Sequence, residues 1–80
     1  MPEASKSSVN HTLRRLENEL ASLKKKFQMA HELTLGWVPN NGSKSGEVIG
    51  TTIRIYELDQ KKALETLRHE FIEYLLTQIL

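Results

Sequence analysis

The chain reads as an α+β domain in the order helix, antiparallel β-hairpin, helix (α-β-β-α), with two helices packed on a small sheet. Three observations predict this. Apolar residues recur at Val9, Leu13, Leu16, Leu20, Leu23, Phe27 and Ala30, the spacing of one helix face. Two extended, alternating runs follow, at 33–38 and 47–57, and residues 60–80 return to helical periodicity.

Each element has local support. Residues 1–8 are small, polar and charged, and are expected to form a disordered tail ahead of a single domain over 9–80. Helix 9–30 has cap candidates in Ser8 and Asn10 and its basic cluster in the second half, where cations complement the helix dipole. In the first extended run Leu33, Leu35 and Trp37 share a face until Pro39 stops it, and residues 40–46 are a dense turn cluster. In the second, Ile49, Thr51, Ile53 and Ile55 share a face and Val48, Gly50, Thr52, Arg54 and Tyr56 the other. Two strands and a loop of this length predict an antiparallel pair. Asp59 is the N-cap of the last helix. There Ala63, Leu64, Leu67, Phe71, Ile72, Tyr74, Leu75, Leu76 and Ile79 form a broad apolar sector, with Thr66, His69, Glu70, Glu73 and Thr77 opposite. Arg68 projects from within that sector and is expected to snorkel or to pair with a strand carboxylate.

Composition bounds the function. Eighty residues with 39% apolar content make one thin-cored domain, a size that commonly needs a metal, disulfides or a partner. The absence of cysteine excludes disulfides and thiolate metal sites, leaving a partner or a His/carboxylate metal site. Eleven basic and ten acidic side chains give a net charge of +1, which disfavours a nucleic-acid regulator built on Arg14, Arg15 and Lys24–Lys26. No apolar run has the length of a membrane span and "MPEASKSS" lacks the apolar core of a signal peptide, so a soluble, cytoplasmic protein is expected.

The chemistry concentrates in "TLRHEFIEYLL", residues 66–76. His69 and Glu73 are four residues apart and stand on one helix face, a spacing that can bracket a metal bonded at about 2 Å to each. Glu70, next to His69, is placed to act as general base toward a metal-bound water. The same pair also occurs as an ordinary solvated ion pair, and spacing alone leaves both readings open.

From Gly46 onward, "GEVIGTTIRIYELDQKKALETLRHEFIEYLL" resembles the zincin metallopeptidases, in particular the minimal archaeal-type gluzincins. The resemblance rests on the strand Ile53-Arg54-Ile55-Tyr56, the approach Ala63 to Arg68, and a motif that begins at His69-Glu70. It implies a zinc-dependent peptidase in which His69 is a zinc ligand, Glu70 the catalytic base and Glu73 a metal ligand where the family has its second histidine. It also implies that strand 48–57 rims the substrate cleft and pairs with an extended peptide.

Two departures predict an inactive or incomplete enzyme. Glu73 replaces a histidine, and its added negative charge makes a bound metal a weaker Lewis acid. The family's third ligand has no counterpart among the seven residues after Glu73. The apolar Ile79-Leu80 end suggests either a missing C-terminal segment or burial against another chain. The competing expectation is a non-catalytic interaction module that homodimerises or docks through helix 9–30 and the apolar C-terminal helix.

Overall fold

The computed structural model describes the backbone of residues 2–39 and 43–79 and the side chains of residues 11–39 and 43–79. The element order is α1 (Pro2–Lys26), β1 (Thr34–Trp37), β2 (Gly46–Ile49), β3 (Thr52–Ile55) and α2 (Gln60–Ile79). The α+β class and the helix, strands, helix order are those the sequence predicts.

The sheet differs from the expected hairpin. It has three strands in the order β1-β3-β2. β1 runs parallel to β3, with Leu35 opposite Ile53 and Trp37 opposite Ile55. The antiparallel hairpin lies inside the run expected as one strand, with Val48 opposite Ile53 and Ile49 opposite Thr52. Gly50, at φ 61°, is the cause. It supplies the positive φ that the first turn position of a type II′ hairpin requires, and Gly50-Thr51 is the whole turn. The turn also resets strand parity: Val48 packs with the core while Ile49, expected to share a face with Ile53 and Ile55, is 49% exposed.

The segment between β1 and β2 therefore bridges over the end of β3 instead of joining neighbouring strands. The Val38 N–H donates to Ile55 O at 2.9 Å, and the Tyr56 N–H donates to Ser45 O at 2.7 Å. The Trp37 indole donates to Glu57 O at 2.7 Å, and the Ser45 hydroxyl donates to Glu57 Oε2 at 2.6 Å. Residues 40–42 of the expected turn cluster lie outside the described residues.

α1 is helical from Pro2, through most of the segment expected to be a disordered tail. It stops at Lys26, short of the expected Ala30. Gln28 takes a left-handed φ of 54°, the Met29 N–H donates to Lys24 O at 2.8 Å and the Gln28 N–H donates to Lys25 O at 3.2 Å. These two bonds are the Schellman pattern, and Met29 turns back onto the core.

The middle of the α1 seam faces inward. Leu16, Leu20 and Leu23 are buried in one cluster with Ile53, Ile55, Leu64, Leu67 and Phe71. Each such side chain contributes about 1.5–3 kcal/mol by leaving water. These three seam leucines are thus engaged within the chain.

α1 and α2 run in the same direction. The Thr12 hydroxyl donates to Gln60 Oε1, Arg68 Nε donates to Glu19 Oε2 at 2.8 Å, and Phe27 lies against Phe71 with ring centroids 5.8 Å apart. Arg68 therefore pairs with the first helix, not with a strand carboxylate. Asp59 caps α2 as expected, its Oδ2 accepting from the Lys62 N–H at 3.0 Å.

Candidate functional site

α2 holds the sequence-predicted residues, and β2 determines their surroundings. His69 and Glu73 meet as the i,i+4 spacing requires, with Nε2 and Oε2 2.9 Å apart. Their side chains are 67% and 56% exposed. Glu70 is different. Expected on the exposed face with them, it is only 8% exposed, because one step around the helix carries it under β2.

Gly46 permits this approach. A Cβ at that position would stand 2.6 Å from Thr66 Cγ2, 2.9 Å from Arg54 O and 3.4 Å from Glu70 Cγ. Only a residue without a side chain lets β2 lie this close to α2, so a glycine far from the motif in sequence buries its central carboxylate.

Burial is the main reason the Glu70 carboxyl is held above the ordinary carboxylate range, with the Glu73 charge adding to it and His69 opposing. Glu47 on β2 goes the other way. It accepts hydrogen bonds from the Tyr56 hydroxyl and from Lys44 Nζ, the latter at 2.9 Å. Those two donors, Tyr56 foremost, hold its carboxyl below the ordinary range.

β2 also has a free edge. Ser45 O bonds to the Tyr56 N–H, so the antiparallel alternation makes Glu47/Arg54 and Ile49/Thr52 the hydrogen-bonded pairs. The backbone N–H and C=O groups of Gly46 and Val48 are then left pointing outward. They open onto two adjoining recesses of about 510 and 450 Å³ that share Lys44, Gly46 and Glu70. Glu73 and Tyr74 line the first, and His69 and Thr66 the second. Strand 48–57 as a whole cannot serve as a peptide edge, because β3 has neighbours on both sides. The edge strand beside these recesses is β2.

His69, Glu70 and Glu73 each offer one ligand atom, and these atoms all lie within 4.8 Å of one another. With metal bonds of about 2.0–2.2 Å, two ligand atoms on one ion are at most about 4.4 Å apart, a separation that small side-chain rotations provide. One imidazole nitrogen and carboxylate oxygens also suit zinc chemically. The residues present therefore fit a divalent cation. The other histidines do not join them. His11 is exposed on α1, and His31 Nδ1 hydrogen-bonds the Tyr74 hydroxyl at 3.1 Å. That contact, between the loop after α1 and α2, carries no signal in the sequence.

Among the described residues, no helix is long and apolar enough to cross a membrane. Comparison with known protein families, curated proteins and solved structures finds no match for this chain. Fold and site together define a small α+β domain with a His/Glu/Glu cluster beside a free strand edge.

Proposed function

We propose that this chain is a metallopeptidase-like, metal-binding domain in which His69 and Glu73 hold a divalent cation such as zinc, with peptide hydrolysis incomplete in this form. One observation carries the reading. The motif that resembles a zincin helix lies beneath a free strand edge, with Glu70 in the wall between two recesses. An extended peptide pairing with the backbone of Gly46 and Val48 would run across the cluster. A metal there would supply Lewis-acid polarisation, which the carboxylate of Glu73 weakens. The cytoplasm is the proposed setting, as the sequence suggests.

Calorimetric titration with zinc tests this. The reading requires 1:1 binding in the micromolar range or tighter that His69→Ala abolishes; because His69 is exposed, that variant keeps the fold. A wild-type protein that binds no zinc would remove the proposal.

A second reading, an interaction module, is favoured by the C-terminal helix, one of the two surfaces first expected. Ile72, Leu76 and Ile79 are 38%, 51% and 71% exposed and lie along one stripe of α2. This reading predicts a concentration-dependent homodimer in sedimentation velocity that Leu76→Glu returns to monomer. A wild-type chain that stays monomeric throughout the series would eliminate it.

A further inference from the structure

We infer that Glu70 is the third ligand of this site and not a general base, so that His69, Glu70 and Glu73 together hold a divalent cation from a single stretch of α2. The inference rests on the metal-binding reading proposed above and departs from it in the role of one residue. A general base of the HExxH type stands apart from the ligand pair and reaches a water in the open cleft. Glu70 does neither. Its ligand atom falls within 4.8 Å of those of His69 and Glu73, and it is nine-tenths buried beneath β2.

Its electrostatic surroundings lead to the same assignment. The side-chain hydrogen-bonding neighbour of the Glu70 carboxyl is Glu73. The charges that act on it are those of Glu73, His69 and Glu47, two of them carboxylates. Two carboxylates held this close repel one another when both are ionised, and a cation between Glu70 and Glu73 offsets that repulsion.

Glu47 is the rival third ligand in the same recess, but its oxygens are already engaged by the Tyr56 hydroxyl and Lys44 Nζ. Lys44, which lines both recesses, is likewise occupied by Glu47. Two carboxylates and a neutral imidazole balance the charge of a divalent ion and leave its remaining positions on the solvent side, where His69 and Glu73 are exposed. The three side chains thus form a self-sufficient site that needs no ligand from elsewhere.

The test titrates the intact chain with Co²⁺ and with Zn²⁺, by calorimetry and, for Co²⁺, by visible absorption, in the wild type, His69→Ala, Glu73→Gln and Glu70→Gln. Metal-free melting curves establish that each variant is folded. The inference predicts that Glu70→Gln weakens binding at least about tenfold, the lower end of losses seen even for outer-sphere partners of a metal, and changes the Co²⁺ spectrum. Glu70→Asp keeps the charge but withdraws the carboxylate by one methylene; it gives the same loss and serves if Glu70→Gln fails to fold. If Glu70→Gln or a folded Glu70→Asp binds like the wild type while His69→Ala and Glu73→Gln do not, Glu70 is no ligand and the metal reading stands without it. If the wild type binds neither ion, both fall.

Discussion

Replacing Gly46 with alanine tests the contact that shapes the site. The added Cβ would lie 2.6 Å from Thr66 Cγ2 and 2.9 Å from the main-chain oxygen of Arg54, so β2 must move away from α2. Overpacking of this kind costs about 1–3 kcal/mol. The loss of glycine freedom in the unfolded chain returns about 0.4–1 kcal/mol, and the middle of the two ranges leaves a net destabilisation of about 1–2 kcal/mol. In urea, with a slope of about 1 kcal/mol per molar for a small domain, the midpoint followed by circular dichroism should fall by about 1–2 M. Thr66→Ser deletes the nearer clashing methyl. In a double-mutant cycle it should restore at least about 0.5 kcal/mol, while the Arg54 oxygen keeps the rescue partial. A Gly46→Ala protein as stable as the wild type would refute the reasoning, since β2 would then not lie against α2 closely enough to bury Glu70.

Other outcomes follow from the same structure. Because burial raises the Glu70 carboxyl above its ordinary 4.5, the native state binds that proton more tightly than the unfolded chain does. The metal-free protein therefore loses stability as pH rises above about 4.5, through the interval up to the raised native value, and Glu70→Gln should be the more stable protein at pH 7. Urea midpoints at pH 7 and pH 4 check this, the advantage disappearing at the lower value; an equal advantage at both would contradict the burial argument. Leu20→Asp puts a charge into the core and should abolish cooperative melting; a folded monomer arising from a wild-type dimer would instead restore the exposed-seam reading. Gly50→Ala meets no atom within 4 Å, so its cost is conformational alone, about 1–2 kcal/mol by thermal melt, and Gly50→Asn should cost less.

The first helix was legible because its periodicity is tied to one buried face, and Leu16, Leu20 and Leu23 are core residues as their spacing implies. Its end was not. The left-handed cap falls on Gln28, which gives none of the signal a glycine would. The hairpin was hidden for a related reason: Gly50 is a lone glycine in a β-branched run, and a two-residue turn leaves no polar gap to read. The parallel pairing of β1 with β3 is a non-local choice that neither strand's composition records. At the site, the proximity of His69 and Glu73 follows from helix geometry alone, and the sequence shows it. The burial of Glu70 does not, since it depends on Gly46 in another element whose importance appears only where strand and helix meet.

The central claim is that α2 carries a metal site, and the most direct measurement is a crystal grown with zinc and recorded at the zinc absorption edge. The account predicts a single anomalous peak about 2.0–2.2 Å from His69 Nε2 and from carboxylate oxygens of Glu73 and Glu70, with the edge of β2 beside it. A map with no peak on α2, or with zinc only at His11 or His31, would contradict it.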